Sequence, residues 1–129
     1  MATLLIDSSV IFDHLNGRNG RSELLVQMID QGHILACCSA NITEVYAGLR
    51  AGEEKGTAAF LDSLQCLPVT PEIARQSGLL WRDWRAKGKK LSCADVTIAA
   101  VALANQSPLL TDNRKHFPMA ELKLFPLPG

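Results

Sequence analysis

Apolar residues in this chain fall into short runs separated by stretches of helical periodicity. The runs Thr3–Ile6, Ile34–Cys38, Cys66–Val69, Leu109–Leu110 and Leu122–Phe125 read as strands. Between them the apolar positions repeat every three to four residues. Helices are predicted near Val10–Leu15 and over Ser22–Gln31, the latter with Leu24, Leu25, Met28 and Ile29 on one face and Gly32 as a stop. Another runs from a cap at Ser39 or Asn41 to about Arg50, and Thr57–Ser63 is a further helical segment. Pro71–Lys87 is a long helix with Pro at its first turn, carrying Ile73, Leu79, Leu80 and Trp84. The last helix is Cys93–Asn105. Gly17, Asn19 and Gly20 mark a loop, and Gly52–Gly56 a charged turn. Alternation of strand and helix predicts an α/β fold with a parallel sheet. No repeat, low-complexity tract or long linker interrupts it, and 129 residues predict one domain spanning 1–129.

Four acids stand out from this pattern. Asp7 ends the apolar run Leu4-Leu5-Ile6 and is followed by Ser8-Ser9. It reads either as the N-cap of the next helix or as a carboxylate delivered to a cleft at the carboxyl end of a strand. Glu44 follows the second strand, Asp95 opens the last helix and Asp112 follows the fourth strand. Asn41-x-x-Glu44 and Ser92-x-x-Asp95 also fit capping boxes, and Asp112 an Asx-turn. In a parallel sheet these places converge on one rim. The helix behind Asp95 (Val96-x-Ile98-Ala99-Ala100-Val101-Ala102-Leu103-Ala104) has almost no polar face, so it is expected to be buried nearly all round and its leading acid to be partly buried. Crowded, poorly solvated carboxylates hold protons unless a cation neutralises them. A hard divalent ion such as Mg²⁺, which keeps waters and takes one or two carboxylates, fits that need and points to metal-assisted phosphoryl chemistry. Ser9 and Thr111 could orient a ligand carboxylate, or serve ordinary turns.

Composition narrows the partners. Lys plus Arg and Asp plus Glu both number 13, so no overall basic coat exists, although local patches remain open. The N-terminal apolar run is too short for a signal peptide, and no run approaches the roughly 18 residues that span a bilayer. Cys37, Cys38, Cys66 and Cys93 form no C-x-x-C, which argues against zinc and for buried, reduced thiols in a cytoplasmic protein.

In order, Leu5-Ile6-Asp7-Ser8-Ser9, Thr43-Glu44-Val45 with Gly48-Leu49, Asp95-Val96-Thr97-Ile98-Ala99-Ala100, and Leu109-Leu110-Thr111-Asp112-Asn113 with His116-Phe117 closely resemble a PIN-domain ribonuclease, and more narrowly a VapC-type toxin. The resemblance covers essentially the whole chain. It implies a three-layer α/β/α fold with a central parallel sheet, and a Mg²⁺- or Mn²⁺-dependent endoribonuclease that leaves 5′-phosphate and 3′-hydroxyl ends. The implied acids are Asp7, Glu44 and Asp95, with Asp7 and Asp95 as metal ligands. The fourth position falls on Asp112 or on Asn113, since many members carry Thr-x-Asp or Thr-x-Asn there. Ser9 stands where Asn is frequent. Homodimers, and a small antitoxin whose C-terminal segment covers the acidic cleft, are also implied, and the apolar residues near Leu15, Leu49 and Phe60 read equally as lining of its groove or as core.

An RNA substrate needs cations. The candidates are Arg85, Lys89 and Lys90 before the Asp95 helix, with Arg82 and Lys87 in the same stretch, and Arg114 and Lys115 after Asp112; both groups also read as solvated ends. Trp81 and Trp84 read as packing rather than stacking platforms, and no catalytic role is assigned to His116. Among alternatives, a haloacid-dehalogenase-type phosphohydrolase requires a second Asp where Ser9 stands, and a receiver domain an acidic pair missing at Asp7. A housekeeping or non-catalytic PIN module remains as a third.

Overall fold

The computed structural model describes residues 2–127. Its elements are β1 (Thr3–Ile6), α1 (Ser8–Leu15), α2 (Arg21–Asp30), β2 (Ile34–Cys38), α3 (Ser39–Ala47), α4 (Glu54–Asp62), β3 (Gln65–Leu67), α5 (Pro71–Ala86), α6 (Cys93–Asn105), β4 (Leu109–Leu110), a 3-10 turn at Arg114–His116, and β5 (Leu124–Phe125). The strands form one parallel sheet in the order β3-β2-β1-β4-β5. The chain builds outward from β1 in one direction and then reverses to the other side, so the switch point lies between β1 and β4. Crevices outside the carboxyl ends of strands form there.

The sheet is buried on both faces, as parallel sheets with crossover helices are. Side chains alternate across it. Leu5, Ala36, Cys38 and Leu109 join Val96, Ile98, Ala99, Val101 and Ala102 of α6, with Ile73, Leu80, Trp81 and Trp84 of α5 packed against them. On the other face, Leu4, Ile6, Leu35, Cys37 and Leu110 meet Val10 and Ile11 of α1, Leu24, Leu25 and Met28 of α2, and Leu61 of α4. The three-layer α/β/α arrangement expected from the sequence is therefore present. Helix α6 is buried almost all round, as its composition predicts.

Local chemistry explains several boundaries. Thr70 Oγ1 accepts from Ile73 N (3.2 Å) and Pro71 occupies the first turn of α5. Gly48 ends α3 three residues before the expected Arg50, and a Cβ there would stand 3.4 Å from the Phe12 ring. Part of the expected charged turn Gly52–Gly56 is instead the first turn of α4. β3 ends at Leu67 rather than Val69, and β5 is confined to Leu124–Phe125, with Leu122 buried ahead of it.

Two sequence expectations are corrected. Ile29 is 56% exposed and does not join Leu24, Leu25 and Met28 in the core. The thiols are reduced, but only Cys37 and Cys38 are buried; Cys66 lies on edge strand β3 and Cys93 on the first residue of α6, and both are exposed. Burial, followed by the neighbouring Cys66 and Cys38 thiols, pushes the Cys37 thiol up to about 12.

Two outcomes follow from the packing. A thiol reagent at mildly alkaline pH should modify Cys66 and Cys93 in the native protein, and Cys37 and Cys38 only after denaturation; native labelling of Cys37 would contradict the burial. Ile98→Ala, at a position with no exposed surface, should cost about 2–5 kcal/mol in denaturant unfolding.

Candidate active site

Asp7 occupies the N-cap position of α1, yet its side chain makes no capping hydrogen bond. The cap reading thus holds for the backbone alone. Asp7 N donates to Leu110 O at 2.8 Å, which closes the seam between β1 and β4 at the switch point. The carboxylate is held by two hydroxyls on the same oxygen: Ser9 Oγ donates to Oδ2 at 2.9 Å and Thr111 Oγ1 at 2.7 Å. Thr111 Oγ1 also accepts from Asn113 N at 2.9 Å, so its proton is directed at Asp7. No buried side-chain oxygen among the described residues lacks a partner. Oδ1, which accepts none of these bonds, is therefore reachable from outside the fold.

Glu44 arrives from α3 by a route the sequence does not announce. The helix begins three residues earlier than a cap at Asn41 would place it. Cys38 is the N-cap, and Asn41 reciprocates, its Oδ1 accepting from Cys38 N at 2.8 Å. That shift moves Glu44 out of the first turn and frees its carboxylate from capping. Asn41 is fully buried. Its Nδ2 donates to Ser8 Oγ (2.9 Å), and Ser8 Oγ donates to Glu44 Oε1 (2.6 Å). The second bond lies in the range of charge-assisted O–H···O⁻ contacts. A buried relay thus orients Glu44.

Asp95 sits in the first turn of α6, where its N–H donates to the Ser92 hydroxyl at 3.0 Å. Its carboxylate meets His116, with Nδ1 3.3 Å from Oδ2. Glu44 and Asp95 feel the neighbouring carboxylates. Burial raises the Glu44 pKa; the Ser8 hydrogen bond opposes it, and the charges of Asp7 and Asp95 add to it. Burial likewise raises Asp95; Ser92 and His116 oppose it and Asp7 adds to it.

Asp112 is turned aside. Both of its oxygens face Arg21, with Nη2 2.6 Å from Oδ1 and Nε 3.4 Å from Oδ2. Its charge is not among those that shift Glu44 or Asp95. Asn113 follows on an exposed turn. The rim therefore gathers Asp7, Glu44 and Asp95 with Ser9 and Thr111, and leaves the Asp112 carboxylate with Arg21.

Asp7 and Asp95 are the residues that could hold an ion. Among the described residues, no three His, Cys, Asp or Glu side chains form a ready-made ligand set. Sparse carboxylate oxygens suit an ion that keeps most of its water, as Mg²⁺ does, better than a zinc cage.

The basic candidates lie on chain segments next to the elements that carry the acids. Arg85 and Lys90 are exposed and Lys89 partly so, in the segment that leads from α5 into α6. Arg114 and Lys115 are exposed on the turn that ends at His116. Trp81 and Trp84 pack against the core. Trp81 Nε1 donates to Leu91 O at 2.8 Å, Arg85 lies over its ring (5.7 Å) and Lys87 over that of Trp84 (4.5 Å).

Four residues of this arrangement escape sequence reasoning. Ser8 and Asn41 carry a usable signal, a hydroxyl beside Asp7 and an amide one turn before Glu44, but the amide reads as a cap. His116 gives a weak one. Arg21 gives none, because its partner lies 91 residues away.

Residues 4–122 match the family model described as PIN domain. The chain is 36% identical over 115 residues to Ribonuclease VapC19 of Mycobacterium tuberculosis, covering 89% of this chain and 92% of that protein. It is 34% identical over 118 residues to Ribonuclease VapC10 of the same organism, covering 92% and 88%. Its fold superimposes on VapBC2 from Rickettsia felis, solved bound to a DNA fragment from its promoter, with a TM-score of 0.82 at 20% identity over 95% of this chain and 97% of that one. By its sequence match and its architecture together, the chain belongs to the PIN-domain family, in company with the VapC proteins.

Proposed function

We propose that the protein is a Mg²⁺-dependent endoribonuclease, with Mn²⁺ as an alternative ion, and that it is the toxin of a cytoplasmic toxin–antitoxin pair. Two relatives that align over most of the chain are named ribonucleases. The observation that carries the reading is the meeting of Asp7, Glu44 and Asp95 at the switch point, each oriented by a hydroxyl or imidazole, with burial and the neighbouring carboxylates raising the pKa of Glu44 and Asp95.

Asp7 and Asp95 would hold the ion. Such an ion, when bound, polarises a phosphoryl oxygen and acidifies a water ligand. Ser9 and Thr111 fix the Asp7 carboxylate so that Oδ1 is presented. Glu44, steered by Ser8 and Asn41, would position the attacking water. Hydrolysis would leave 5′-phosphate and 3′-hydroxyl ends. Arg114 and Lys115 on one side, and Arg85, Lys89 and Lys90 on the other, would neutralise RNA phosphates.

A small antitoxin and a second copy of the chain are the proposed partners. Structural neighbours include a toxin–antitoxin complex from Klebsiella pneumoniae. Leu15 and Leu49 line a cavity of about 170 Å³ with Phe12 and Val45, beside the polar side chains of Asn16, Arg50 and Glu53, and Phe60 lines another, mostly apolar groove of about 600 Å³. These are the surfaces an antitoxin segment would cover. Among the described residues no helix is long and apolar enough to cross a membrane.

Purified protein should cleave single-stranded RNA with Mg²⁺ and stop when EDTA is added. Asp7→Asn and Asp95→Asn should reduce cleavage to the EDTA level; wild-type rates in both variants would sink the proposal. Ser8→Ala should slow cleavage by about tenfold or more while leaving RNA affinity intact, as loss of a group that orients a ligand does. Removing both cations in Arg114→Ala/Lys115→Ala should lower the slope of log affinity against log salt by about 1.4, and an unchanged slope would place the RNA elsewhere. Expression alone should arrest growth, and co-expression of a small neighbouring gene should relieve it.

A further inference from the structure

Arg21 is 5% exposed although it carries a full charge. Arginine is almost never buried unless paired. Two left-handed residues, Asn19 (φ 57°) and Gly20 (φ 64°), turn the chain into α2 and set Arg21 at its first position. Nη1 donates to Asn19 O at 3.3 Å, and Nη2 and Nε take the two oxygens of Asp112. The planar guanidinium matches a carboxylate in this two-point geometry. The Asp112 backbone stays at the rim, with its N–H 3.4 Å from Ser9 Oγ, while its carboxylate points away to α2.

We propose that Arg21 is a positioning residue that withholds Asp112 from the metal-binding cluster, so that the cluster works with three carboxylates although the chain brings four acids to the rim. The inference rests on the metal-dependent reading above and deepens it. A carboxylate whose two oxygens both face a buried guanidinium is already neutralised and is turned away from a hydrated cation at the rim. Affinity for hard cations follows the number of charged ligands and the rigidity of the site. The pair therefore sets the affinity of the site for its ion, and Asp112 takes no part in holding it.

The test is Mn²⁺ binding to the full chain without RNA, followed by the Mn²⁺ spin-resonance signal, with thermal unfolding in EDTA to show that each variant is folded. Asp7→Asn should weaken binding by about tenfold or more. Asp112→Asn should leave it unchanged. Arg21→Gln should tighten it several-fold by releasing the Asp112 carboxylate. Arg21→Gln/Asp112→Asn should return it to the wild-type value, and Arg21→Lys, which keeps the charge, should hold it there. A purely structural Arg21 would give the opposite sign, with Arg21→Gln and the double variant both binding more weakly. If Asp7→Asn weakens binding and Asp112→Asn weakens it as much, the metal centre stands and this inference is overturned. If Asp7→Asn has no effect, the metal centre itself is wrong and the inference falls with it.

Discussion

The arrangement of the rim depends on one seam, the pairing of β1 with β4. The two strands share only the register Leu5 to Leu109 and Ile6 to Leu110, extended by the bond from Asp7 N to Leu110 O. That bond sets Asp7 and Thr111 side by side, and the Thr111 hydroxyl then has one acceptor within reach, the Asp7 carboxylate. Backbone pairing therefore supplies the alignment that side chains alone would have to find at entropic cost. Ser9 adds the second bond from the first turn of α1, so the carboxylate is gripped by neighbours on two elements.

Glu44 depends on a different device. Buried polar groups are costly unless satisfied, and a satisfied network rigidifies what it touches. Asn41 is wholly buried, and both ends of its amide are hydrogen-bonded. It closes the cap of α3 through Cys38 and donates an amide N–H to Ser8, which in turn bonds Glu44. The same residue that ends β2 cleanly also aims an acid. Helix α6 contributes in the plainest way: enclosed on nearly every side, it cannot rotate without exposing apolar surface, so the azimuth of Asp95 is set by packing.

Much of this was legible in the sequence. The strand–helix alternation, the enclosed α6 and the gathering of acids at strand ends and helix starts follow from local pattern, because burial and strand ends leave a mark on neighbouring residues; the choice of Asp7, Glu44 and Asp95 among four acids came from the family resemblance. Failures came where a local motif had two physical solutions. Asn41-x-x-Glu44 satisfies the capping pattern, but Cys38 takes the cap because the chain leaves β2 directly into the helix with no intervening loop. Ile29 fits the helical stripe of α2 and yet lies beyond the edge of the sheet's cover. Cys66 and Cys93 look apolar in sequence and stand at an edge strand and a helix start. The pairing of Arg21 with Asp112 had no local trace at all, since nothing around either residue encodes a partner so distant.

The centrality of β1 has a consequence for how the chain is made. Strand β1 is made before the other four strands of the sheet and yet lies at its middle, and its Asp7 waits for a hydroxyl 104 residues later. Chains emerge from the ribosome N-terminus first. Until β4 appears, Asp7 has no seam to sit on and Thr111 does not yet exist. A nascent chain stopped short of Leu110 therefore carries acids without a centre, and the rim is assembled only once β4 and Thr111 have been made.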